Sequence, residues 1–83
     1  MKKAYSLCVN KQVLERLKAK KTKIIQHVVS RQWANFNKKK HKTVRLYDQM
    51  CMISGTFIVI ESKEITQLGE RVIRIELGDE INL

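Results

Sequence analysis

The stretch from Lys18 to Lys42 carries nine of the seventeen Lys and Arg residues of an 83-residue chain, no Asp or Glu, and an apolar stripe threaded between the cations. One fold has to satisfy both properties. Read with a helical period, Ile24, Ile25, Val28, Val29, Trp33 and Phe36 fall on one buried face, and Lys23, Arg31 and Lys38 on the other. One side folds and the other attracts anions.

The flanking sequence sets the class of fold. Tyr5, Leu7 and Val9 alternate with Ala4, Ser6 and Cys8, which predicts a first strand over Lys3 to Val9, covered on both faces and inside a sheet. Asn10 is a good N-cap, and Val13, Leu14 and Leu17 follow at helical spacing, so a first helix is expected from Lys11 to about Lys20. Thr22 can cap a second helix that runs to about Asn37. One long bent helix from Lys11 to Asn37 is the alternative, and a chain without proline does not decide between them.

From Thr43 the pattern turns to strands. Val44 and Leu46 alternate with Arg45 and Tyr47, Met50 to Ile53 is apolar, and Ser54-Gly55 reads as a two-residue hairpin turn that places Met52 opposite Phe57. Phe57 to Ile60 is continuously apolar and is expected to be central and buried on both faces. Glu61 to Glu70 reads as a polar connector, and Ile73, Ile75 and Leu77 alternate with Val72, Arg74 and Glu76 in a last strand. The expected fold is therefore a single α+β domain over residues 1–83. Its order is βααβββ, with helices on one face of a mostly antiparallel four-stranded sheet.

Charge is divided between the halves. Residues 1–45 hold fourteen Lys or Arg against one acid, a net +13, and residues 46–83 hold three against seven, a net −4. A field of this kind draws a polyanion to one side of the molecule. No apolar run is long enough for a membrane span, and the basic start is followed by interrupted apolar stretches rather than a secretory leader. Cys8 and Cys51 share no pairing motif and suit two small buried thiols in a reducing compartment, so the expected location is cytoplasmic.

Glycine-rich phosphate loops, nucleophile elbows and paired-histidine metal motifs are missing, so no catalytic residue, cofactor or metal is assigned. His27 and His41 read as a packed residue of the helical stripe and a loop residue. The cations Lys18, Lys20, Lys21, Lys23, Arg31, Lys38, Lys39, Lys40, Lys42 and Arg45 are the expected phosphate contacts. Tyr47, beside Arg45, is a candidate for stacking on an unpaired base. Trp33 and Phe36 are expected in the core. The expected function is non-enzymatic binding of RNA with low sequence specificity, since lysine is a point charge rather than a planar fork. An RNA-dependent inhibitor or regulator of another protein would fit such a chain. An adaptor for an acidic protein partner, or a salt-sensitive homo-oligomer joined through the oppositely charged halves, are further readings.

The order of elements, with Ala4 to Val9 leading into two basic helices and Ile53 to Ile60 followed by Val72-Ile73-Arg74-Ile75, resembles the small bacterial ribonuclease toxins of the RelE and HigB type. That resemblance implies RNA cleavage by basic, His or Tyr residues at the end of the last strand or just after it. Here those positions are Gly78, Asp79 and Glu80, so no catalytic residue carries over. Arg45-Leu46-Tyr47-Asp48 through Gly55-Thr56 also resembles the first half of an Sm-type RNA-binding motif, without its second signature.

Overall fold

The computed structural model describes residues 5–81. Five strands and two helices alternate as β1 (Tyr5–Val9), α1 (Lys11–Lys18), β2 (Ile24–Val28), α2 (Arg31–Lys39), β3 (Thr43–Asp48), β4 (Ser54–Gln67) and β5 (Glu70–Ile81). The strands form one mixed sheet of order β1-β3-β4-β5-β2. β1 runs parallel to β3, and every other pair is antiparallel. The α+β class is as expected. The order is βαβαβββ with five strands, rather than βααβββ with four.

The extra strand lies inside the segment expected to be helical. Ile24, Ile25, Val28 and Val29 are β-branched, and such side chains fit a pleated surface better than a helix. The strand β2 pairs with β5, placing Ile25 beside the buried Ile75. Ser30, not Thr22, caps the helix that follows, its hydroxyl accepting from the Trp33 N–H at 3.5 Å. Trp33 and Phe36 are buried as expected, but from a helix that begins only at Arg31. Helix α1 agrees with expectation, with the Asn10 side chain accepting from the Gln12 N–H at 2.8 Å.

Both helices pack on one face of the sheet. Leu14, Leu17, Trp33 and Phe36 meet Leu7, Val9, Val44, Leu46, Phe57, Ile73, Ile75 and Leu77 in a single core. Helix α2 also joins the two edges. Its Gln32 amide donates to the Ser6 carbonyl of β1 at 2.8 Å, the Tyr5 hydroxyl donates to the Gln32 carbonyl, and Trp33 stacks on His27 of β2 at 4.6 Å between ring centres. The first strand is thus an edge strand, not an interior one. Gln32 occupies a backbone acceptor that an exposed edge would offer to another chain. The expected Lys3 and Ala4 of that strand lie outside the described residues.

Strand β4 is central, as expected, yet only one of its faces is covered. Phe57 is buried, whereas Ile58 and Ile60 are 41% and 59% exposed on the face away from the helices. The run Glu61–Gln67 is not a connector; it continues β4 along β5 to a tight turn at Leu68-Gly69, both with positive φ (52° and 78°). Paired positive φ values are the geometry that follows the twist of a two-residue hairpin.

The β3–β4 connection also differs from the sequence reading. Ser54-Gly55 is part of β4, Val44 rather than Met52 lies opposite Phe57, and the turn is Asp48–Ile53 with Met50, Cys51 and Met52 exposed. Asp48 organises it. Its buried carboxylate accepts from the Ile53 N–H at 2.8 Å and the Met50 N–H at 3.2 Å. These bonds, led by that from Ile53, hold its pKa below the usual carboxylate value against the opposing effect of burial. Cys51 is therefore not a buried thiol, and neither it nor Cys8 is in a disulfide.

A carboxyl with a lowered folded pKa contributes stability that is present above its unfolded value, about 3.9, and is lost as pH falls through the folded one. The isosteric Asp48→Asn variant removes the charged acceptor. Denaturant unfolding at pH 7, 5 and 3 is expected to show the wild type more stable at the two higher values, with the gap closing at pH 3. A gap of the same size at all three would mean that the Asp48 charge does not hold the turn.

Candidate nucleic-acid interface

Two lysine clusters stand at the C-terminal ends of the two helices. In the first, α1 ends in a pair of backbone bonds, Lys20 N–H to the Leu17 carbonyl at 3.1 Å and Lys21 N–H to the Arg16 carbonyl at 2.9 Å. This Schellman arrangement puts Lys20 in the left-handed region, φ 61°, where glycine is the usual occupant. In the second, Lys40 ends α2 in the same region, φ 51°, with its N–H donating to the Phe36 carbonyl. Cations at a helix C-terminus are favoured by the helix dipole. That gain does not require a cation in the one backbone conformation that a side chain resists.

The sheet holds one lysine of each cluster at the same level. The Val59 N–H donates to the Lys42 carbonyl at 2.8 Å, Val59 lies opposite Leu77, and the Leu77 N–H donates to the Lys23 carbonyl at 2.7 Å. Lys42, Val59, Leu77 and Lys23 therefore form one row across four strands, which spans roughly 14 Å at the usual strand spacing. A stacked nucleic-acid strand presents about four phosphates over that length.

Most of the cations are uncompensated. Lys18 pairs with Glu80 at 2.8 Å across a cleft of about 280 Å³ between Lys20, Thr22 and Lys23 on one wall and Phe57, Leu77 and Gly78 on the other. The other ion pair among the described residues joins Arg71 to Glu64 at 2.7 Å. That bond lowers the Glu64 pKa and raises that of Arg71. Lys20, Lys21, Lys23, Arg31, Lys38, Lys39, Lys42 and Arg45 are exposed, and none is in an ion pair with a described residue. Lys40 is anchored, its Nζ donating to the Ser62 carbonyl at 2.6 Å and to Asn37 at 3.3 Å.

Not all the expected contacts converge. Arg31 sits at the start of α2, at the opposite end of that helix from Lys38 and Lys39. Arg45 and Tyr47 point to the open face of the sheet, away from the helices, with the Arg45 guanidinium 5.5 Å from the centre of the Tyr47 ring. The lysine run and Tyr47 belong to different surfaces, since side chains along β3 alternate between faces.

The histidines differ: His41 is half-buried and His27 is exposed with one ring face on Trp33. His41 lies against Tyr5 and Phe36, at 4.7 and 5.5 Å between ring centres, and its buried Nε2 has no hydrogen-bond partner. His27 is on a strand rather than in a helical stripe, with Nδ1 2.7 Å from the Val28 carbonyl oxygen. No metal-binding cluster of three His, Cys, Asp or Glu residues occurs among the described residues. Among the described residues no helix is long and apolar enough to cross a membrane.

No family model, curated protein or solved structure compared with the chain matches it. The likeness to the ribonuclease toxins includes two consecutive helices after the first strand, and β2 separates the helices here.

Lys20 separates stability from charge. Lys20→Gly relieves the left-handed backbone and removes a cation in one step. It is expected to raise unfolding stability by about 1 kcal/mol in a denaturant titration, whereas a loss would show that the Lys20 side chain holds the end of α1.

Proposed function

We propose that the protein binds RNA without cleaving it, through phosphate contacts from the two helix-end lysine clusters. The observation that carries this reading is the row from Lys42 to Lys23, which sets an unpaired cation of each cluster at one level on either side of the β4–β5 hairpin. Polyanion binding relieves the repulsion within a half of net charge +13. RNA is favoured over duplex DNA because the cations lie on helix ends and loops, and neither short helix turns a basic length toward a groove. Arg45 stacked on Tyr47, on the open face, is available to an unpaired base at the end of a bound segment. Recognition is by charge and shape, with little reading of sequence. A small basic chain acting this way can coat RNA or use it to reach and block a protein partner.

Titration of the purified protein with single-stranded RNA at several salt concentrations tests this reading, with the RNA examined on a gel. The expected result is intact RNA and a log K that falls with log salt at a slope of about −3.5 to −5, for about five to seven phosphates. Lys20→Gly is expected to weaken binding and flatten the slope by about 0.7 to 1 while the fold becomes more stable. Cleaved RNA would replace the proposal with a ribonuclease. Absence of binding at low salt would reassign the cations to an acidic protein partner.

A further inference from the structure

The face of the sheet away from the helices carries its charges in an order that a single copy leaves unsatisfied. Across the β4–β5 ladder Glu61 lies opposite Glu76, and two residues further on Lys63 lies opposite Arg74. Like charges directly opposite each other repel. None of the four is in an ion pair with a described residue, and together with Ile24 they line one shallow groove.

Apolar residues bound these rows on both sides. Beyond the acidic row, Ile58 and Ile60 stand beside Gly78, where an added Cβ would meet Ile58 at 3.5 Å and Ile60 at 3.6 Å. The glycine leaves a notch between two exposed isoleucines. Beyond the basic row, Val28, Val72 and Ile65 form another apolar row across three strands, with Val28 52% exposed. Along the strands the face therefore reads apolar, acidic, basic, apolar, in steps of about 7 Å.

This order is its own complement. A two-fold axis lying across the strands, between the acidic and basic rows, carries each row onto one of the kind it lacks. We propose that a second copy of the chain docks on this face, sheet against sheet, about an axis that passes between Glu76 and Arg74. In that arrangement β4 of one copy lies over β4 of the other in the opposite direction, as an isologous contact requires. Glu61 and Glu76 of each copy then face Lys63 and Arg74 of the other across the spacing of two packed sheets. Ile65 of each copy then lies over Ile58 and Ile60 of the other, and Val72 over the notch at Gly78. Both helices and their lysine clusters stay on the outside, and Arg45 and Tyr47, opposite Thr56 and Ser54, lie toward the end of β4 away from the axis, so the contact does not depend on the phosphate contacts.

Charge reversal tests the pairing through sedimentation equilibrium of the full chain without nucleic acid. The wild type is expected to show a concentration-dependent monomer–dimer equilibrium, and Glu76→Arg and Arg74→Glu are each expected to weaken it at least ten-fold. Each reversed chain keeps its own fold, since each change places opposite charges across the β4–β5 ladder; thermal melting checks this. Mixed together, the two reversed chains face each other with opposite charges at both positions and are expected to associate about as tightly as the wild type. A wild type that stays monomeric to about 300 μM would overturn the proposal, whether or not an RNA or another protein binds there. Reversed chains that associate as well as the wild type, or a mixture that does not restore association, would overturn it as well.

Discussion

The long antiparallel ladder between β4 and β5 is the contact on which every other element depends. It pairs residues from Thr56–Ile81 to Gln67–Glu70, and no other strand pair extends so far. β3 attaches to its upper half and β2 to its lower half, so the two edge groups are staggered along it. The ladder is interrupted by register shifts between Phe57 and Val59 and between Val59 and Glu61. Shifts of this kind bend a strand and increase its twist. The bend lies at the level where Lys42 and Lys23 enter their strands, and it coincides with the place where the two cationic clusters flank the hairpin.

Helix α2 meets the strands on both sides of this staggered sheet. Gln32 holds the backbone of β1, Trp33 lies on His27 of β2, and Phe36 fills the space between with Tyr5 and His41 against it. The helix carries nine residues, too few to be stable alone in water, and its structure comes from these contacts. Its last turn is consequently a fixed platform for Lys38 to Lys40.

The parts of this fold that were legible in the sequence are those where one local pattern has one outcome. Asn10 followed by Val13, Leu14 and Leu17 specifies α1, and Ile73, Ile75 and Leu77 specify the buried side of β5. The ambiguous segment, Thr22 to Val29, satisfies a helical and a strand pattern together. Its β-branched content favoured the strand, and the partner that made the strand profitable, β5, lies about fifty residues away. Glu61 to Gln67 has the look of a connector in the sequence because its polarity masks the alternation of a hairpin that projects along β5. At the candidate site, the identity of the cations was legible and their arrangement was not. The joint level of Lys23 and Lys42 follows from backbone bonds to Leu77 and Val59, and the separation of Tyr47 from the lysine run follows from the register of β3. The open face is hidden in the sequence because continuous apolarity in Phe57 to Ile60 reads as burial on both sides, whereas Gly78 and the charged rows around it mark a surface.

The two faces thus divide the chemistry of the chain. The helical side gathers unpaired cations at the ends of α1 and α2, and the open side alternates apolar and charged rows. The most direct test of this division follows backbone amide NMR signals during titration with a short single-stranded RNA. The account predicts that the largest shifts fall in residues 18–23 and 38–42, while those of residues 61–65 and 72–76 remain in place. Shifts concentrated on the open face, with the lysine clusters unmoved, would contradict it.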